Sequence, residues 1–154
     1  MPDDQGGEDI DTSTLHVLFV CTGNICRSPL AQVMARDRFG DGFRFTSAGT
    51  HATEGTEATE HARTLAAERG LDLSSHRATL LANCSQPDVI IGMEQHHLVA
   101  ARRTFRDLDV SRIRLLAHPV GIADPYLLDL DAYRSAAEDI DEAFDNLDLD
   151  AFSA

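Results

Sequence analysis

The chain has 154 residues, 43% hydrophobic and 25% charged, which fits one soluble globular domain with a single core. A formal net charge of −13 argues against nucleic acid or an anionic membrane surface as partner, because both require a cationic face. There is no run of about 18 apolar residues to span a bilayer, and MPDDQGGED is acidic where a secretory signal is basic; the cytoplasm is the expected compartment.

In chain order, residues 1–13 hold five acidic residues, two glycines and little that is apolar, and are expected to form a disordered acidic tail ahead of one domain over 14–154. The apolar run Leu15-His16-Val17-Leu18-Phe19-Val20 predicts a buried parallel strand. A short loop, Cys21 to Ser28, follows, and then a helical pattern from Pro29, with Ser28 as its expected N-cap. Phe43–Ser47 predicts a second strand, and 56–69 a helix closed by Gly70 at the C′ position. Asp88–Met93 predicts a third strand, Glu94–Phe105 a helix, Ile113–Leu116 a short fourth strand and Asp131–Leu147 a final acidic amphipathic helix. Alternating strands and helices imply an α/β domain with a parallel sheet.

Three cysteines, with no CxxC pair, suit neither a disulfide scaffold nor a zinc site. Cys84 lacks any motif around it and reads as filler. Cys21 stands differently. Successive backbone N–H groups in a strand-to-helix turn make a nest for an anion, and the following helix adds its positive end. Arg27 offers a planar fork of donors to two oxygens of a phosphate. Such a setting favours the thiolate form of a cysteine at its mouth. A kinase-type phosphate loop is excluded, since no Gly-Lys-Ser/Thr is present.

The string VCTGNICRSP resembles the signature of the low-molecular-weight protein tyrosine phosphatases, a cysteine and an arginine separated by five residues and followed by serine. Asp124-Pro125-Tyr126 stands where that family carries its late Asp-Pro pair, and Thr46–Thr50, Ser75–Ala78 and Asp88–Glu94 match family landmarks in order, so that the resemblance spans roughly residues 15 to 147. It implies a four-stranded parallel sheet of order 2-1-3-4 with helices on both faces, no metal or organic cofactor, and hydrolysis of protein phosphotyrosine through a phosphocysteine on Cys21. By the same resemblance Arg27 binds phosphate and Asp124 is general acid and base, while Thr22, Gly23, Asn24, Ile25, Cys26 and Ser28 complete the phosphate-binding loop. Asn24 is expected in a left-handed conformation, with Ser28, Ser47 and His76 supporting it. Cys26 has two open readings, a protective disulfide with Cys21 or simple packing under the loop.

Substrate choice turns on the pocket walls. Tyr126 is expected on one side, and His51 stands near the place where phosphotyrosine-specific members have an aromatic residue; it either covers the opening or is solvated. Ile25 resembles the tyrosine-phosphatase form, whereas related arginine phosphatases have threonine there. The alternatives are a phosphoarginine phosphatase or an arsenate reductase on the same fold; the latter requires two further cysteines after residue 80, and only Cys84 is present. A non-enzymatic phosphate-binding module would have to lack the nucleophile or the acid.

Overall fold

Leu15–Cys21 forms the first strand, β1, and it is central because both of its faces are apolar: Val17, Phe19 and Cys21 enter one core, Leu18 and Val20 the other. The computed structural model describes residues 14–152, so the expected acidic tail over 1–13 lies outside the described residues. β2 (Phe43–Gly49) pairs parallel with one edge of β1, β3 (Val89–Gly92) with the other, and β4 (Ile113–Leu115) extends the sheet beyond β3. The order β2-β1-β3-β4 is the one anticipated.

Four helices cover the sheet: α1 (Arg27–Phe39), α2 (Glu60–Glu68), α3 (Gln95–Thr104) and α4 (Leu130–Asp145). Residues of α1, α2 and α4 share the larger core with Val17, Phe19, Val89 and Ile91, and α3 fills the smaller one against Leu18, Val20 and Ile90. Five phenylalanines knit the larger core; Phe19 stacks on Phe45 at 6.0 Å between centroids and Phe39 meets Phe144 edge-on at 5.4 Å. Such pairs add about 0.5–1.5 kcal/mol each beyond their buried area. Among the described residues no helix is long and apolar enough to cross a membrane.

Local signals set most boundaries. Thr59 caps α2 through Ala62 N–H, Asp129 caps α4 through Ala132 N–H, and Gly70, at φ +75°, closes the turn after α2. α1 departs from expectation. It begins one residue before Ser28, Cys26 is its N-cap, and no side chain caps it. The Ser28 hydroxyl is instead turned back into the preceding loop, and Pro29 lies within the first turn, where its missing N–H breaks no helical bond.

The register places Cys21 opposite Gly49, and Val20 opposite Gly92. The carboxyl end of β1 is therefore flanked by two glycines, on the edge of the sheet where α/β folds bind ligands.

Candidate active site

β1 delivers Cys21 to this edge, and the chain turns through Thr22–Cys26 before α1 starts at Arg27. Asn24 makes the turn possible with φ +56°, a left-handed conformation that asparagine accepts more readily than most residues. Three bonds hold it: its Nδ2 donates to Ser28 Oγ at 2.8 Å, its Oδ1 accepts from Thr79 N–H at 2.9 Å, and its carbonyl accepts from His76 Nε2 at 2.7 Å. Burial holds His76 below the usual imidazole range, although its bond to Asn24 works in the opposite direction. Ser47 does not belong to this network. Its hydroxyl donates to Gln32 Oε1 at 2.5 Å, because its place on β2 turns it toward α1, and the Thr79 backbone does the supporting work expected of it.

The buried Cys21 sulfur lies 2.9 Å from Ser28 Oγ and 3.2 Å from Asn24 N–H. Asn24 donates to Ser28 Oγ, and the one Ser28 hydroxyl hydrogen has the Cys21 sulfur at 2.9 Å as a nearer acceptor than Ala48 O at 3.5 Å; given to a thiolate, it brings the sulfur's accepted hydrogen bonds to two. Gly49 makes this packing possible: a Cβ there would sit 2.5 Å from Thr22 O and 2.9 Å from Asn24 N. Gly49→Ala must displace the loop backbone. The expected result is a loss of about 1–3 kcal/mol in stability, as for overpacking generally, measurable by thermal unfolding. A parallel fall of at least about tenfold in kcat is expected, since small misplacements of reacting groups are costly.

Arg27 is only 1% exposed. Its NH1 donates to Glu94 Oε2 at 2.6 Å and to Ile122 O at 2.8 Å, and its NH2 stands 3.5 Å from Asp124 Oδ2. Burial pushes the Glu94 carboxyl upward, but the bond and charge of Arg27 outweigh it and hold Glu94 below the usual range. Arg27 Nε is buried and has no hydrogen-bond partner among the described residues. An unpaired guanidinium donor is expensive to bury, and an oxyanion beside the loop would satisfy it.

Around this floor lies a pocket of about 340 Å³. Cys21, Thr22, Gly23, Ile25, Cys26 and Arg27 line it together with His51, Thr53, Thr56, Asp124 and Tyr126; Cys21, Cys26 and Arg27 are buried there, whereas His51, Thr53, Thr56, Asp124 and Tyr126 are exposed. Asp124 Oδ1 accepts the Tyr126 N–H at 3.0 Å, which orients the carboxylate over the pocket. His51 Nδ1 lies 3.0 Å from the hydroxyl of Thr50, so this exposed ring is held at the rim. Cys26, which also lines the pocket, is buried with Tyr133 OH at 3.2 Å and Thr59 Oγ1 at 3.8 Å; burial pushes both its thiol and the Tyr133 phenol up. Burial likewise pushes the Cys84 thiol up to about 11, away from the pocket.

The family model for low molecular weight phosphotyrosine protein phosphatases matches residues 16–151. This chain is a member of that family. Among its relatives, a protein-arginine-phosphatase of Geobacillus stearothermophilus is 31% identical over 85% of this chain and 92% of its own length. The probable low molecular weight protein-tyrosine-phosphatase EpsP of Ralstonia nicotianae is 36% identical over 84% and 90%. Among solved structures, Vibrio vulnificus Wzb in complex with benzylphosphonate superposes with a TM-score of 0.78 at 30% identity, covering 86% of this chain and 95% of Wzb. The chain is thus a cysteine-dependent phosphatase on the low molecular weight fold.

Several residues around the site escaped the sequence reading: Glu94 and the Ile122 carbonyl on Arg27, His97 on Thr22, and Thr59 with Tyr133 behind Cys26. Glu94 stood in a family landmark, and that was its only signal. Among the described residues, Glu94, His96 and His97 bring potential metal-ligand atoms within 4.8 Å of one another. Two of the three are engaged elsewhere, Glu94 with Arg27 and His97 through both ring nitrogens.

Proposed function

We propose that the enzyme hydrolyses phosphotyrosine in protein substrates through a phosphocysteine on Cys21. The observation that carries this reading is the buried Arg27 with its unpaired Nε–H at the base of a pocket that also holds Cys21. A phosphoryl group seated there meets the loop N–H groups and the guanidinium, which offset the charge spread over its equatorial oxygens. The Cys21 thiolate attacks phosphorus, the bond to the tyrosine oxygen breaks, and Asp124 gives that oxygen its proton. Asp124, now a carboxylate, takes a proton from water as the water attacks phosphorus; the S–P bond breaks and phosphate leaves. Local donors do this work against the net charge of −13. The same reading places the enzyme in the cytoplasm, acting on phosphoproteins rather than nucleic acid or membranes.

Tyrosine is favoured over other phosphorylated side chains by the walls. Tyr126 offers an aromatic face and Ile25 an apolar one, and Asp124 is the one carboxylate lining the pocket among the described residues, already committed to Arg27 and the Tyr126 N–H. Stacking of a substrate ring on Tyr126 contributes about 0.5–1.5 kcal/mol beyond area, or up to roughly tenfold. Matched phosphotyrosine, phosphoserine and phosphoarginine peptides test the assignment. The phosphotyrosine peptide should have the highest kcat/KM, and Tyr126→Ala should lower that value by up to about tenfold. Phosphoarginine as the best substrate, or no effect of Tyr126→Ala, rejects the pocket as drawn.

A further inference from the structure

His97 is fully buried at the start of α3 and does not line the pocket, an unusual place for an imidazole. Its Nδ1 accepts the backbone N–H of Glu94 at 3.0 Å. The ring proton therefore sits on Nε2, which donates to Thr22 Oγ1 at 2.9 Å. Burial, with His96 and Arg27 nearby, lowers the pKa of the ring to about 3, which favours the same neutral form that the two hydrogen bonds require. Glu94, one turn back, holds Arg27 at 2.6 Å. The first turn of α3 thus grips the phosphate loop twice, beside the cysteine and at the arginine. Gly92 allows that approach: a Cβ there would meet Leu98 Cδ2 at 2.6 Å and His97 Cβ at 3.2 Å.

Capping α3 requires only an acceptor for the Glu94 N–H, and the shorter asparagine side chain supplies one. The bond to Thr22 is additional to the cap and leads straight to the residue after the nucleophile. We infer that His97 is a positioning residue for the phosphate loop, holding Thr22 so that the backbone donors converge on the anion before it arrives. This rests on the reading of Cys21–Ser28 as the phosphate cradle. Donors preorganised in this way stabilise the transferring phosphoryl group without reorganising during the reaction.

His97→Asn separates the two roles, since its Oδ1 can replace Nδ1 as acceptor while the side chain falls short of Thr22. Thr22→Val removes the same bond from the other side. With p-nitrophenyl phosphate, each variant is expected to lose about three- to tenfold in kcat, the worth of one hydrogen bond, and to weaken inhibition by inorganic phosphate similarly. The double variant should be no worse than either single one, and the thermal midpoint of His97→Asn should stay within a few degrees of wild type. Wild-type kcat and phosphate inhibition in His97→Asn, or losses that multiply in the double variant, overturn the inference. If His97→Asn does not fold, Thr22→Val alone decides by the same kcat and inhibition criteria. Wild type and Cys21→Ser run alongside: absence of phosphate inhibition in wild type would reject the cradle, and turnover surviving in Cys21→Ser would reject the phosphocysteine, both results distinct from failure of the His97 role.

Discussion

Cys21→Ser is expected to reduce turnover below about a hundredth of wild type while inorganic phosphate still binds. The substitution replaces sulfur by oxygen at the point where Ser28 and Asn24 aim their hydrogens. A serine hydroxyl stays protonated there and is a far weaker nucleophile. The rest of the cradle is unchanged, because Asn24 is held by Ser28, Thr79 and His76, and Arg27 by Glu94 and Ile122. Phosphate binding measured by titration, beside turnover of p-nitrophenyl phosphate, separates a lost nucleophile from a collapsed loop. Turnover above that level would remove Cys21 from the role, and loss of both properties would mean that the sulfur also holds the loop together.

Asp124→Asn is expected to lower kcat on a phosphotyrosine peptide by roughly 10²–10⁴, the range for a lost general acid. Asparagine retains the oxygen that accepts the Tyr126 N–H, so the loop should keep its shape. What disappears is a group that gives up a proton in its acid form and, once ionised, carries a charge 3.5 Å from Arg27 NH2. Tyrosine is a poor leaving group without a proton, whereas p-nitrophenolate departs unaided. The loss on p-nitrophenyl phosphate should therefore be clearly smaller than on the peptide. Equal losses on both substrates would mean that Asp124 only orders the loop and balances Arg27.

Much of this enzyme was legible before any coordinates, for reasons of chain locality. β1 showed as an apolar run because both of its faces are buried, and the alternation of strands and helices implied the parallel sheet. Gly70 and Asn24 stand at positive φ, where local sterics favour those residue types. Cys21, Asn24, Arg27 and Ser28 lie within one turn, so their spacing alone indicated an anion cradle. The resemblance, more than the spacing, pointed to Asp124, since nothing local distinguishes it among 26 acidic residues.

Tertiary structure decided what depends on partners distant in sequence. Ser28 reads locally as a helix cap, but the strand–turn geometry makes its hydroxyl worth more between Asn24 and Cys21. Ser47 lies on the predicted second strand, yet the packing of α1 on β2 gives it Gln32 as partner. Arg27 meets Glu94 across 67 positions, Thr22 meets His97 across 75, and Cys26 meets Tyr133 across 107. The sheet order β2-β1-β3-β4 is what sets the start of α3 beside the loop, and the larger core is what sets α4 behind it. The sequence by itself thus determined the strand–loop–helix unit that begins with Cys21 and the alternation of strands and helices, because these follow from patterns within a few residues. The brace under the cradle depended on the fold, because a hydrogen bond between remote residues leaves no periodicity or spacing in the chain.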